Sequence, residues 1–419
     1  MGIRLKLAET GKELDDVFWV RRQVYSVEEG KFGGERMADI PLVDKFDAHP
    51  CCANIIAYEG EEPIATTRVN LDTGCGLPPE KLYDFSAERK RVSRDWKIHS
   101  SNETLFVSAG MLAIRREWRG RRDVVRSLIK LATTIADSWE ASHVMITANH
   151  ENEIMFRRLG LTSVAGSFWV EEIGNKVVPM VAPIRDLLAH LVGPRLDNIP
   201  LLDCFPGQFQ RLVYRAGEPV FRELDFADEC YVVDVGRVKI STNAAENGSE
   251  LVFADLGPGE LFGEMALLDA KTRSANATTV CDTELIALRR DDFMEGLQKK
   301  PERLGIVLRF IFDRLRRTDE FAKLLAYGSA TQRTEFALKG FIDSGRLKER
   351  SDGTSMLRVG PVELAAAAAT DTPEVISFLD DLSQRGICKY NDTRIEFLRP
   401  YNHLNEKNTW KDEGTARVL

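Results

Sequence analysis

The 419-residue sequence predicts a multidomain α+β protein, and three observations carry that prediction. Helical and alternating apolar periods interleave over residues 1–184, the pattern of an α/β layer. Short apolar strands punctuated by glycine turns dominate residues 196–325, followed by a helical period after Pro301. Residues 326–400 read as helices followed by a small hairpin, and residues 401–419 as a polar tail. The length suits two to three domains, each with its own core.

Composition excludes several classes. With 43% hydrophobic and 29% charged residues, the chain can bury cores and is not expected to be disordered. A net charge of −8 argues against non-specific nucleic-acid binding as the main task. The seven cysteines are scattered without metal-ligand spacing, so no metal site is expected and free thiols in a cytoplasmic protein are. No apolar leader and no long uncharged apolar run occurs, so neither secretion nor a membrane span is expected.

In the first third, Leu5–Ala8 reads as a strand, and Thr10 with Glu13 has capping-box spacing before the helical period Leu14, Val17, Phe18, Val20. A polar region from Glu28 to Asp47 precedes a hairpin, Asn54–Tyr58 with Pro63–Leu71. Leu105–Ile114 is a long apolar strand. It turns through Arg115–Arg122 into a helix from Asp123 to about Ala141. Val144–Ala148 is a strand, Asn152–Leu161 a helix, and Gly166–Val181 a strand pair.

The residues Leu112-Ala113-Ile114, Trp118-Arg119-Gly120 and Asn152 to Leu161 resemble the GNAT acyltransferase fold. That resemblance implies that backbone amides after the central strand wrap the donor's pyrophosphate; Ile114, Arg119, Gly120, Arg121, Arg122 and Asn152 are the candidate donor-binding residues, the three arginines as cationic contacts to phosphate. Arg122 and Val124 stand where the family prefers further glycines, so acyl carrier protein competes with coenzyme A as donor. An arginine-rich entrance suits an acidic carrier protein.

Val20-Arg21-Arg22-Gln23-Val24-Tyr25, Glu28-Glu29-Gly30, Asp44-Lys45-Phe46-Asp47 and Arg68 resemble the acyl-homoserine-lactone synthases, and more closely the long-chain N-acyl amino acid synthases. Arg21 and the paired acids would then order the N-terminal helices over the site. The implied reaction is attack of a neutral amine on a thioester, with the oxyanion held by a backbone N–H near Ala113 or Ile114. Glu29, Asp44, Asp47 and His49 are candidate bases. Asp44 and Asp47 are equally suited to stabilising a turn, and His49 to entering a strand. Arg68 could grip the carboxylate of an amino-acid acceptor.

In the middle, Gly259 to Leu268 is closed by Thr272-Arg273-Ser274-Ala275. Gly263 lets the backbone approach a ligand, and Arg273 is a permanent planar cation suited to phosphate. Glu264 can accept from a ribose hydroxyl, and the turn Glu264-Met265-Ala266 can offer amides to an anion. With Tyr214–Phe221 and Cys230–Val238, this stretch resembles the phosphate-binding cassette of cyclic-nucleotide-binding domains of the catabolite activator class, which implies a β jelly-roll barrel. The implied effector is cAMP or cGMP, held by Gly263, Glu264, Met265, Ala266, Arg273 and Ser274. Leu224 stands where the family often has Gly.

The helix after Pro301 has an apolar stripe of Leu304, Ile306, Val307, Phe310, Ile311 and Leu315. The resemblance makes it a lid on the base and the seam of a homodimer. Val362–Thr370, a helix begun by Thr372-Pro373-Glu374 and ended at Gly386, and the hairpin Ile387–Leu398 resemble a winged helix-turn-helix. Its reading face would carry Pro373, Glu374, Ser377 and Phe378, with Val375, Ile376, Leu379 and Leu382 inward. The neighbouring Asp380 and Asp381 disfavour DNA. The reading is a cyclic-nucleotide-regulated N-acyltransferase acting on a small amine such as an amino acid. The alternatives are a transcription regulator with a sensor GNAT domain and a cAMP-dependent protein lysine acetyltransferase.

Overall fold

The computed structural model describes residues 2–32, 40–99, 103–192, 210–243, 250–265, 272–299, 301 and 304–398. They form two compact units. One is Met1–Arg215 with Glu229–Asp234 and Glu284–Arg303; the other is Ala216–Asp228 with Val235–Thr283 and Leu304–Leu419.

The first unit opens with β1 (Ile3–Leu7) and α1 (Gly11–Arg21). Thr10 and Glu13 close the expected capping box, satisfying two of the helix's orphan amides. The helix continues as a wide π-turn over Arg22–Glu28. There follow β2 (Cys52–Glu59), β3 (Glu62–Leu71), α2 (Ser86–His99), β4 (Phe106–Ile114), α3 (Arg122–Ser138), β5 (His143–Asn149), α4 (Glu153–Arg158), β6 (Thr162–Ser163), β7 (Phe168–Val170), β8 (Asn175–Pro183) and α5 (Ile184–Val192). The helix α2 was not legible in the sequence, because it has no apolar stripe. Phe85 and Val92 anchor it, and Arg89 stacks on Phe106 at 4.7 Å while pairing with Asp72 at 2.7 Å and Glu80 at 2.6 Å.

From residue 210 the chain continues with β9 (Gln210–Tyr214), β10 (Pro219–Phe221), β11 (Glu229–Val235), β12 (Val238–Asn243), β13 (Glu250–Leu256), β14 (Leu261–Phe262), β15 (Asn276–Thr279), β16 (Thr283–Arg289) and α6 (Arg290–Lys299). Three of these strands join the first unit. Its sheet runs β11-β16-β9-β1-β2-β3-β4-β5-β8-β6, with β7 paired to β8. The seam is antiparallel, Ile3 opposite Val213 and Leu5 opposite Arg211. Thus strands beyond residue 196, where the sequence suggests a separate domain, complete the first sheet. Edge strands carry unpaired amides, and β1 and β9 satisfy each other's.

The strands β4 and β5 are parallel, yet they pair only at Phe106 with His143 and Val107 with Val144. Beyond that they splay, and the gap becomes the first unit's cavity. One wall is α3, whose apolar face buries Val124, Leu128, Leu131 and Ile135. Each such side chain contributes about 1.5–3 kcal/mol.

The second unit carries the sheet β10-β15-β12-β13. It continues with α7 (Leu304–Tyr327), α8 (Ala330–Phe341), β17 (Leu347–Glu349), β18 (Ser355–Leu357), α9 (Pro361–Ala368), α10 (Thr372–Gln384), β19 (Cys388–Asn391) and β20 (Arg394–Phe397). The last strands order as β17-β18-β20-β19 beside a core of Leu338, Phe341, Leu364, Val375, Leu379 and Leu382. Two expected orientations on α10 exchange: Phe378 is 8% exposed and inward, whereas Ile376 is 39% exposed. The helical rotation that buries Val375, Leu379 and Leu382 carries Phe378 in with them. Ala266, Leu267, Leu268, Cys204, Gly193-Pro194 and the tail from 401 lie outside the described residues. No helix among the described residues is long and apolar enough to cross a membrane.

Candidate functional site

Behind the π-turn, Arg21 from α1 and Arg68 from β3 meet the loop acids. Arg21 bonds Asp47 Oδ1 at 2.8 Å and also reaches Asn54 Oδ1. Arg68 bonds both oxygens of Asp44 at 2.8 and 3.0 Å and Asp47 Oδ2 at 2.8 Å. Arg21 is fully buried and Asp47 nearly so. Burial raises the Asp47 carboxyl, but Arg21 and Arg68 more than offset it and hold it below the ordinary range. A carboxylate held that low is a poor proton acceptor near neutrality, so Asp47 fits ordering the loop over the sheet better than a base's role, and Asp44 has both oxygens on Arg68. Arg68 spends its fork on these acids. His49 accepts from the Cys51 N–H and contacts Thr73 Oγ1 at 2.9 Å, a loop-stabilising role.

The turn after β4 also differs from expectation. Arg119 is drawn to Glu28 at 2.8 Å and Glu29 at 3.1 Å, and its Nε donates to the Ile114 carbonyl at 3.0 Å. Arg121 pairs with Asp123 at 2.7 Å. The Arg121 N–H donates to Trp118 and the Arg122 N–H to Gly120, so these amides close the turn itself. Gly120 and Arg122 stay exposed at the start of α3. Glu29 also takes Lys31 at 2.8 Å. It ends the segment carrying Tyr25, and its charge reaches the Tyr25 hydroxyl.

The first unit's cavity, of about 170 Å³, is lined mainly by apolar groups of β4, β5, α3 and α5. Val107, Ala109, Ile129, Ala136, Ile146 and Leu187 form its walls, and Tyr25, Asn149 and Asn152 add polar groups. Such a slot suits an aliphatic chain. Ala113 is fully buried among Val17, Val20, Val24 and Ile56, and the neighbouring β4 residues that line the cavity are Gly110, Met111 and Leu112.

The second unit holds a cavity of about 590 Å³, bounded by Glu264, Met265, Arg273, Ser274 and the helices α7 and α8. Gly263 has φ +76°, a conformation that disfavours any side chain. Arg273 bonds the Gly263 carbonyl at 2.9 Å and stacks over Phe221 at 4.2 Å. The Glu264 side chain is 3% exposed, and Oε1 takes Arg314 at 2.8 Å. Its Oε2 has no hydrogen-bond partner among the described residues. A buried carboxylate oxygen left over is ready for a hydroxyl, and Arg273 nearby is ready for an anion. These residues fit a cyclic nucleotide: ribose on Glu264, phosphate on Arg273 and the Ser274 side.

The helix expected as a lid supplies the other wall, but sequence reasoning missed which of its residues do so. Arg314, Thr318 and Phe321 line the cavity from α7, at helical spacing, and Phe336 from α8 stacks on Phe321 at 5.7 Å and 13°. The spacing was visible, but its facing depended on register. The expected stripe splits. Val307 is buried and Phe310 lines the cavity, whereas Leu304 and Leu315 are 45% and 53% exposed, beside Leu308 and Phe312, which lay outside the expected stripe, at 38% and 52%. Ion pairs tie the segment after α8 to the sheet: Asp255 takes Arg237 at 2.8 Å and Arg346 at 2.6 Å. On α10, Pro373, Glu374, Ser377, Asp380 and Asp381 are exposed, with Asp380 accepting from the Tyr390 hydroxyl at 2.6 Å.

Comparison with known proteins gives two domain matches. Residues 16–183 match the model of the N-acyl amino acid synthase FeeM, and residues 211–300 that of the cyclic nucleotide-binding domain. The cyclic AMP receptor protein of Thermus thermophilus is 34% identical over 209 residues, 50% of this chain and 91% of that protein. The CRP-like cAMP-activated global transcriptional regulator of Mycobacterium tuberculosis is 32% identical over 112 residues, 27% of this chain and 50% of that protein. Among solved structures, the Thermus thermophilus catabolite activator protein has 32% identity and a TM-score of 0.28, covering 52% of this chain and 96% of that one. The FeeM N-acyl amino acid synthase from uncultured soil microbes has 15% identity and a TM-score of 0.37, covering 45% and 93%.

Proposed function

Because this N-acyltransferase belongs to the cyclic AMP receptor protein family over its C-terminal half and carries an N-acyl amino acid synthase domain before it, we propose that a cyclic nucleotide controls its acyl transfer to an amino acid. The observation that carries the control is a buried ionic cluster. Lys130 of α3 reaches Asp234 of β11 at 2.8 Å and Glu284 of β16 at 2.9 Å, and Arg211 of β9 joins Asp234 at 2.5 Å. These three strands lie within the nucleotide-domain match or at its start, while Ile129, Ala132, Thr133 and Ala136 of the same helix line the acyl cavity. A movement of the strands therefore bears directly on the cavity wall.

In this reading the acyl chain of a thioester lies in the β4–β5 gap. The acceptor amine attacks the carbonyl carbon, the N–C bond forms, and the C–S bond breaks. The amine proton passes to Glu29, whose charge reaches the cavity residue Tyr25, and the thiolate departs with the carrier or coenzyme. Arg21, Arg68, Asp44 and Asp47 hold the overlying loop. Exposed Arg122 and the neighbouring turn meet the donor's phosphate, from acyl carrier protein or coenzyme A. Cyclic nucleotide, cAMP or cGMP, occupies the Glu264–Arg273 cavity. The apolar face left on α7 serves a homodimer. The acidic surface of α10 favours a regulatory role for the winged helix over DNA binding.

The test is acyl transfer by the purified full chain, with acyl carrier protein and coenzyme A thioesters and a panel of amino acids, with and without cAMP or cGMP. The expected product is an N-acyl amino acid whose rate of formation changes with one nucleotide. Acetylated protein without N-acyl amino acid refutes the acceptor; an unchanged rate despite measured nucleotide binding refutes the control.

A further inference from the structure

The strand β4 carries one residue more than its partner. Arg68 stands opposite Gly110 and Thr66 opposite Ala113, so Thr67 alone faces both Met111 and Leu112. This is a β-bulge. Met111 has φ +52°, in the left-handed region, which costs a side-chain-bearing residue roughly 1–2 kcal/mol. Such strain persists only where neighbours over-determine it. Two neighbours do. The Thr67 hydroxyl donates to the Gly110 carbonyl at 3.0 Å, and the Tyr25 hydroxyl donates to the Leu112 carbonyl at 2.9 Å. The carbonyls on both sides of Met111 are thus taken by side-chain donors. Tyr25, Thr67, Gly110, Met111 and Leu112 all line the acyl cavity.

The direction of these bonds matters. No described peptide bond is cis. In a planar trans peptide the N–H points opposite to the C=O. Fixing the Gly110 carbonyl therefore fixes the Met111 N–H, which faces away from β3, whereas the Ala113 N–H belongs to the ladder opposite Thr66 and Tyr25 holds the Leu112 carbonyl. A carbonyl oxygen near the thioester would repel the negative charge growing on its oxygen, whereas an N–H would stabilise it. Tyr25 comes from the π-turn, packed edge-on against Phe32. Burial raises its hydroxyl above the ordinary value, so it stays protonated and donates throughout the working range.

We propose that Tyr25 and Thr67 are positioning residues for acyl transfer: together they tie down the carbonyls flanking the Met111 bulge and aim the Met111 N–H at the oxyanion. They touch the strand and not the reacting atoms. The proposal rests on reading the β4–β5 gap as the acyl site.

The experiment compares Tyr25→Phe and Thr67→Val in the full chain. Each is measured for kcat, for KM, and for binding of two probes by calorimetry. One probe is a long-chain acyl-pantetheine amide, which mimics the ground state. The other is the matching acyl phosphonamidate of the amino-acid acceptor, which carries a tetrahedral anionic centre. Each variant should lower kcat about 10–100-fold with KM within about twofold, as for loss of oxyanion alignment. Phosphonamidate affinity should fall by the same factor while amide affinity holds. A purely structural role would weaken both probes together, and that result overturns the proposal, as does wild-type kcat in both variants. If the wild-type chain binds the phosphonamidate no better than the amide, no oxyanion device exists here. If it binds neither, the acyl site is misplaced and both readings fall. Should Tyr25→Phe not fold, Thr67→Val alone decides, because Val keeps the shape and loses only the donor.

Discussion

Replacing Lys130 with Met tests the link between the two functions. Met preserves most of the stem and removes the ammonium. In the wild type two cations face two carboxylates; Lys130 and Arg211 are 0% and 1% exposed at the side chain, and Asp234 and Glu284 2% and 10%. The variant leaves Arg211 alone against both acids, with Glu284 at 3.7 Å from it. One uncompensated buried charge costs about 3–5 kcal/mol, far more than the 0–1 kcal/mol of an exposed pair. Asp234 is raised by burial and lowered further by Arg211 and Lys130, with a net depression. Loss of Lys130 raises it relative to the wild type, so on acidification the variant's fold takes up this proton before the wild-type fold does, and the stability deficit shrinks as pH falls. Urea unfolding followed by tryptophan fluorescence, at pH 7.5 and 5, measures both effects. The variant Lys130→Met with Glu284→Gln restores neutrality and should recover more than half of the loss. A deficit below about 1 kcal/mol, or a double variant as unstable as the single, refutes the charge argument. In the double variant the nucleotide should still bind while its effect on acyl transfer falls.

Three further outcomes follow from particular contacts. Glu264→Gln should weaken cyclic-nucleotide binding about 10–100-fold by calorimetry, because the buried Oε2 loses its charge and Arg314 its partner. Leu224 is 76% exposed and sits at φ +71°, so Leu224→Gly should raise stability by about 0.5–1 kcal/mol, and a lower melting temperature contradicts that. His143 is held down to about 4 by burial first, then by Arg91, with Asp186 opposing. It stays neutral in the fold while the unfolded chain protonates near 6.5. Stability should therefore fall between about pH 6.5 and 4, by up to about 3 kcal/mol, and His143→Phe, which still packs against Trp96 and Phe106, should flatten that slope.

Much of the fold was legible because it is local. The capping box at Thr10, the hairpin of β2 and β3, the strand-to-helix turn before α3 and the Gly263–Glu264–Arg273 cassette each sit within a few residues of chain. The helix α2 escaped because charged residues with one buried valine leave no period to read. The arginines at 119 and 121 read as phosphate ligands because their own carboxylates, Glu28 and Asp123, were not visibly aimed at them.

By itself, then, the sequence determined the elements, the acyltransferase-like and nucleotide-binding segments, and the residue types at each site. Tertiary structure alone decided their partners. Lys130 meets Asp234 and Glu284 across 104 and 154 residues, Tyr25 meets the Leu112 carbonyl across 87, and β1 takes β9 as its neighbour. Local periodicity reports which face of an element is apolar. It is silent on which distant element covers that face, because that choice is made by the whole chain's packing.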